Sequence, residues 1–194
     1  MESSRDIYAR AFADSQYCKP ALELRYEYAL NEIRSKDCVD IIDIGCGRGA
    51  FANYINSHWV SSIDGFDLDK FYESSAIYNF FEGDLNGDLS KVSSEVSNYI
   101  SYNCSGKYDM LTCLDVLEHL NKESIDNVFE FFAKISNNQV FTIANHSDIH
   151  EGTELHVIQE NIDWWLPKLQ KYFIINNVET HYDGRLYLLS LTTK

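Results

Sequence analysis

The chain has 194 residues, 45% of them hydrophobic and 24% charged, with 30 acids against 16 bases and a formal net charge of −14. That length fits one domain whose core needs neither disulfide nor metal, and the acidic excess works against non-specific grip on a phosphate backbone. Cys18, Cys38, Cys46, Cys104 and Cys113 form no C-x-x-C pair, which argues against a disulfide framework or a thiolate zinc cluster.

Residues 1–20 are mixed in character and read as partly irregular. Residues 20–35 read as a helix, with Pro20 near its start and an apolar stripe of Leu22, Tyr26, Ala29, Leu30 and Ile33. Such a helix would cover one sheet face, with Tyr17 and Lys19 just ahead of it in reach of a ligand. Residues 39–44 are a Val- and Ile-rich run, the pattern of a strand buried on both sides. Gly45, Gly47 and Gly49 follow at alternate positions, and a helix is predicted over 50–58. The glycines permit unusual backbone angles and close approach of a ligand. The free N–H groups of the helix would face whatever sits on the turn.

A second strand is predicted over 63–67, ending at Asp67, followed by a poorly defined stretch over 69–78 that reads as a helix of two turns. A brief strand over 79–82 leads into Gly83-Asp84-Leu85, then a helix over 88–101 with Leu89, Val92, Val96 and Ile100 on one face. Residues 108–113 form a fourth strand that runs into Leu114-Asp115-Val116-Leu117-Glu118-His119-Leu120. A strongly amphipathic helix spans 122–135, a fifth strand 139–144, and a loop with three histidines 145–158. The helix over 159–171 contains Pro167, which predicts a kink or a fresh turn. Residues 173–180 and 185–192 flank Tyr182-Asp183-Gly184 as an antiparallel hairpin. The alternation gives an α/β fold: an open, mostly parallel, doubly wound sheet of about seven strands, closed by a C-terminal antiparallel hairpin. Residues 1–36 would cover a core domain of residues 37–194, as one compact unit. Cys38, Cys46 and Cys113 lie in apolar runs and read as small buried residues. No leader and no membrane-spanning run is apparent, so the expected compartment is the cytoplasm.

The glycine spacing discriminates between cofactors. A nicotinamide site calls for G-x-G-x-x-G with an acid about 20 residues on. Here the pattern is G-x-G-x-G led by Asp43, with Asp67 24 residues after that acid. A turn led by a carboxylate suits a cationic or neutral ligand, and no P-loop lysine follows. From Asp43 to Gly49 the sequence resembles the first motif of class I S-adenosylmethionine-dependent methyltransferases, which have a Rossmann-like fold. The resemblance extends through Asp67, Gly83-Asp84-Leu85 and the segment from Leu114 to Leu120. It implies S-adenosyl-L-methionine as cofactor, with the turn under its methionine and ribose portions. Asp67 would accept from both ribose hydroxyls and Asp84 from the adenine amino group, chemistry that a carboxylate is suited to. The implied cofactor contacts are Asp43, Gly45, Gly47, Gly49, Asp67, Leu68, Asp84, Leu85 and Leu114.

On the acceptor side, histidine is the natural base near neutral pH. His119, His146 and His150 are the principal candidates for a catalytic role, with His156 a fourth. The ends of the fourth and fifth strands open on one crevice, which brings His119 and His146 near each other. Asp115, Glu118 and His119, with His146 or His150, resemble the metal arrangement of small-RNA 2′-O-methyltransferases and quinone-biosynthesis O-methyltransferases. Those families have glutamate where Asp115 stands, so no metal ligand is assigned. Trp164-Trp165-Leu166-Pro167 resembles a late helix of methyltransferases acting on sugars and other small metabolites, with one tryptophan in the core and the other lining the pocket. No Asn/Asp-Pro-Pro-Tyr run follows the fourth strand, which counts against methylation of a base or amide nitrogen. The expected activity is O-methylation of a small-molecule or saccharide-type acceptor by a monomer or dimer, without membrane insertion and with nucleic acid disfavoured. The alternatives are an RNA or protein methyltransferase, including metal-assisted 2′-O-methylation, and a non-catalytic cofactor-binding subunit. A nicotinamide dehydrogenase is disfavoured by the glycine spacing.

Overall fold

Runs of Val and Ile and amphipathic stripes build a seven-stranded sheet between two helical layers in the computed structural model, which describes residues 4–13, 22–59, 62–71 and 76–194. The helices are α1 (Ser4–Ala13), α2 (Leu22–Ser35), α3 (Ala50–His58), α4 (Ser90–Asn103), α5 (Ile125–Ile135) and α6 (Ile162–Tyr172). The sheet strands are β1 (Asp40–Ile44), β2 (Ser62–Asp67), β3 (Ile77–Glu82), β4 (Tyr108–Leu114), β5 (Ser136–Ala144), β8 (Phe173–His181) and β9 (Leu186–Thr193). A separate small hairpin pairs β6 (Ile149–His150) with β7 (Thr153–Glu154). The sheet order is β3-β2-β1-β4-β5-β9-β8, parallel through β5, with β9 antiparallel to both its neighbours. The chain winds outward from β1 in one direction and then restarts at β4 on the other side. That switch opens a crevice at the carboxyl ends of β1 and β4.

Alternation along β1 loads both faces. Ile42 and Ile44 pack with α4, α5 and α6, while Ile41 packs with Ile63, Met110 and Val140 under α2 and α3. Helix α5 buries Ile125, Val128, Phe129, Phe131, Phe132 and Ile135, and Phe129 stacks on Phe141 of β5 with ring centroids 6.0 Å apart. Truncating such a buried aromatic to alanine costs about 3–5 kcal/mol.

Several expected boundaries move. Residues 4–13, within the stretch read as partly irregular, form a helix. Helix α5 starts at Ile125 rather than 122, because residues 122–124 are a turn. Strand β5 starts at Ser136, directly after α5, since Asn138 and its neighbours pair with both β4 and β9. The histidine loop contains the β6–β7 hairpin, whose tip holds Glu151 (φ 49°) and Gly152 (φ 81°) in the left-handed region of a tight two-residue turn. Helix α6 spans Ile162–Tyr172 and runs through Pro167 without a break. The last hairpin reaches His181 on one side and Thr193 on the other. Residues 76–78 are already turn and strand, not helix, while 72–75 and the positions of Tyr17, Lys19 and Pro20 lie outside the described residues. Cys38, Cys46 and Cys113 are buried thiols, as expected.

Candidate functional site

The crevice at the strand ends is a cleft of about 750 Å3. One wall is the glycine turn. Gly45, Gly47 and Gly49 all have left-handed backbones, with φ of 70°, 50° and 77°. At Gly45 the reason is double, because a Cβ there would also stand 2.3 Å from Cγ2 of Val116. The Gly45 N–H donates to the Phe66 carbonyl at 2.7 Å, and the Gly47 N–H donates to Oδ2 of Asp67 at 2.8 Å. The turn is therefore fastened to the end of β2. Gly45, Cys46, Gly47 and Arg48 line the cleft, whereas Gly49 lies behind them as the cap of α3.

Three acids support or line this wall. Asp43 is 3% exposed and accepts from the Thr112 hydroxyl at 2.8 Å, which ties β1 to β4. Burial pushes its carboxyl up to about 7, with Thr112 pulling down and Asp67 adding to the rise. Asp67, 8% exposed, accepts from Gly47 through one oxygen and from the Leu68 N–H at 2.7 Å through the other. Burial raises it to about 6 against those two bonds. Asp84 is exposed on the cleft and accepts from the Asn86 N–H at 2.8 Å, which closes its own turn. Leu68, Leu85 and Leu114 also line the cleft.

The facing wall carries the histidines. His119 Nδ1 lies 2.9 Å from the Leu155 carbonyl, and His156 Nδ1 lies 2.6 Å from the His146 carbonyl. A carbonyl only accepts, so each Nδ1 carries a proton. The His119 and His156 rings meet edge to face at 4.7 Å, and His146 stands 4.9 Å from His156. Burial, with His156 adding, lowers His119 to about 4. Glu118 is fully buried; Oε1 accepts from the Ala144 N–H at 2.9 Å, and Oε2 has no hydrogen-bond partner among the described residues. Ligand atoms of Glu118, His119 and His156 lie within 4.8 Å of one another. His146 lines the cleft, but His150, half-buried on β6, does not.

Of the carboxylate-x-x-carboxylate-His pattern, Asp115 is not in the close group of Glu118, His119 and His156. It pairs with Arg25 and accepts from the Thr142 hydroxyl at 2.7 Å. It holds φ 55° to do so, with its own N–H bonded to Thr142. Trp164 is also displaced from its expected place. It lies under the ammonium of Lys168, 3.6 Å from its ring centroid, and outside the cleft, while Trp165 is in the core.

Tyr8 and Arg25 are cleft residues that the sequence reading passed over. Tyr8 of α1 meets His119 edge to face at 5.5 Å, and Arg10 pairs with Glu151 on the hairpin tip at 3.0 Å. Arg25 is 6% exposed. Its position three residues after Leu22 and four before Ala29 puts a cation on an apolar stripe, and that was the available signal.

The profile of a methyltransferase-domain family matches residues 8–179. No curated protein matches the sequence. Among solved structures the chain is similar to an S-adenosylmethionine-dependent methyltransferase from Clostridium acetobutylicum, with TM-score 0.67 and 10% identity over 98% of this chain and 99% of that one. It is similar to a magnesium protoporphyrin IX methyltransferase from Synechocystis with bound S-adenosylhomocysteine, with TM-score 0.64 and 16% identity over 98% and 94% of the two chains. A small RNA methyltransferase superposes with TM-score 0.63 and 14% identity over 93% of this chain and 26% of that one. At such identities the likeness is one of fold. Among the described residues, no helix is long and apolar enough to cross a membrane.

Proposed function

The chain belongs to the methyltransferase-domain family, and on that premise we propose that this S-adenosylmethionine-dependent methyltransferase methylates oxygen on a small acceptor. The observation that carries the reading is His119, whose Nδ1 is pinned by the Leu155 carbonyl on the wall facing the glycine turn.

The residues present fit the cofactor. Gly45 and Gly47 leave bare backbone against the cleft, and Asp67 offers two carboxylate oxygens beside it. Asp67 would accept from the ribose hydroxyls and Asp84 from the adenine amino group, and Arg25 and Arg48 are cleft cations suited to an α-carboxylate. When bound, S-adenosylmethionine supplies a methyl group on positively charged sulfur. The chain then has two tasks: to align an acceptor oxygen and to take its proton. The lone pair of His119 Nε2 accepts the hydroxyl hydrogen bond. A base lowered to about 4 is uncharged at neutral pH. It is strong enough here because the acceptor oxygen becomes positive, and its proton acidic, as the new bond forms. Tyr8, edge-on to His119, closes the acceptor side. With Trp164 outside the cleft, Tyr8 is the aromatic surface beside His119 for a saccharide-type acceptor. The net charge of −14 works against RNA.

A second reading has its own support. Glu118, His119 and His156 place a carboxylate and two imidazoles within reach of one divalent cation, and the unpartnered Oε2 of Glu118 suits a ligand role. A cation held there would make an acceptor hydroxyl more acidic. Exhaustive chelation separates the readings: activity that survives it leaves His119 as the base, and activity lost and restored by added metal supports the cation.

The acceptor class is tested by methyl-label transfer into a metabolite extract, with and without nuclease and protease. Label in small molecules, indifferent to both digestions, supports the proposal. Label that disappears with nuclease or protease overturns it.

A further inference from the structure

The opposite end of the sheet holds a second cavity, of about 250 Å3, at the amino ends of β1, β2 and β4. Asp40, Asp64, Tyr78, Tyr99, Cys104 and Tyr108 form most of its wall, and its described lining includes no lysine, arginine or histidine. Asp64 is the unusual member. It sits on β2 three residues before Asp67, on the face that Phe66 shares with the larger core, and is 3% exposed. A strand position like this is normally apolar, because a buried charge is costly unless it is paired. The Tyr108 hydroxyl reaches across β1 to donate to Oδ2 of Asp64 at 2.7 Å. Oδ1 has no hydrogen-bond partner of good geometry among the described residues. The Tyr99 hydroxyl and the Asn79 N–H also act on this carboxyl, which burial raises above its usual range. Asp40 adds a second carboxyl, itself crowded by Asp109.

None of this serves the cofactor cleft, since it lies at the wrong end of the strands. Its chemistry is nonetheless that of a receptor: two carboxyls with no lysine, arginine or histidine in the described lining, three tyrosines beside them, and a buried Oδ1 without a hydrogen bond of good geometry. An ammonium group answers each feature. Its N–H bonds complete Asp64 Oδ1 and reach Asp40, and tyrosine faces stabilise the charge by cation–π attraction. The cavity falls below the roughly 300–1,000 Å3 of drug-sized sites, which selects a short amine. We propose that the cavity formed by Asp40, Asp64, Tyr78, Tyr99 and Tyr108 binds a small primary alkylammonium ion, at a site separate from the cofactor cleft.

The test uses the full chain with 1,4-diaminobutane and n-butylammonium chloride, read by calorimetry and thermal melting against sodium chloride at equal ionic strength. The expected result is saturable binding and a rise in Tm with the amines alone. Asp64→Asn and Asp40→Asn should each weaken it at least tenfold while leaving S-adenosylhomocysteine affinity intact. Should Asp64→Asn fail to fold, Asp40→Asn and Tyr78→Ala still decide, since Tyr78 is 79% exposed and its loss spares the core. No saturable response in the wild type, an equal response to sodium chloride, or binding unchanged in Asp40→Asn and Tyr78→Ala overturns the proposal.

Discussion

The Gly47 N–H donates to the Asp67 carboxylate at 2.8 Å, so the turn after β1 and the acid that ends β2 form one hydrogen-bonded unit. The carboxylate that we assign to the ribose is also the group that fixes the floor beside it. The turn and the end of β2 therefore depend on one side chain.

Replacing Asp67 with alanine removes the ribose acceptor and frees the Gly47 N–H together. Hydrogen bonds to a charged group contribute about 1.5–3 kcal/mol each, so losing both ribose bonds should lower S-adenosylhomocysteine affinity roughly 100-fold or more by calorimetry. Unchanged affinity would remove Asp67 from the ribose role.

Cofactor affinity should also depend on pH through Asp67. Burial raises its carboxyl to about 6, and the ionised form is the one that accepts from both hydroxyls. Affinity should therefore be flat above about pH 7 and fall as pH drops through 6. Asp67→Asn should flatten that limb, and titration calorimetry between pH 5 and 8 reads both curves.

Asp43 gives the opposite sign in stability. Its folded carboxyl is raised to about 7 by burial, above the ordinary value near 3.9 in an unfolded chain. The folded state therefore binds its proton more tightly, and stability is lost as pH rises toward 7. Asp43→Asn keeps an acceptor for Thr112 and avoids the buried charge. It should stabilise the ligand-free protein by about 1–3 kcal/mol at pH 8 and by little at pH 4, measured by urea unfolding.

Gly45→Ala should damage the turn twice, through the left-handed φ of 70° and through a contact of 2.3 Å with Val116. A loss of about 1–3 kcal/mol in stability is expected, with weaker cofactor binding. Adding Val116→Ala should restore part of the loss, since it relieves the contact but leaves the backbone strain. No recovery in the double variant would assign the whole cost to the backbone.

The glycine turn and the acids at the strand ends were legible in the sequence because local chemistry dictates their place. Alternate glycines after a Val- and Ile-rich strand leave few backbone solutions, and Asp67 and Asp84 fall at strand ends that hydropathy marks. The histidine wall was less legible because it is assembled across the chain. Which histidine joins His119 depends on the Glu151-Gly152 turn, which takes His150 out of the cleft and leaves His156 in it. Asp115 is diverted by an arginine 90 residues earlier. Helix α1 carries its functional contacts, Tyr8 on His119 and Arg10 on Glu151, to residues more than 100 positions away. No pattern within residues 1–20 announces them.

The division of labour across the cleft is tested most directly by His119→Gln, comparing S-adenosylhomocysteine affinity with the rate of methyl transfer to the labelled acceptor pool. The cofactor contacts lie on the facing wall, so affinity should stay within about twofold while transfer falls roughly 100-fold or more. Transfer at the wild-type rate, or affinity falling in step with transfer, would contradict the placement of His119 on the acceptor side.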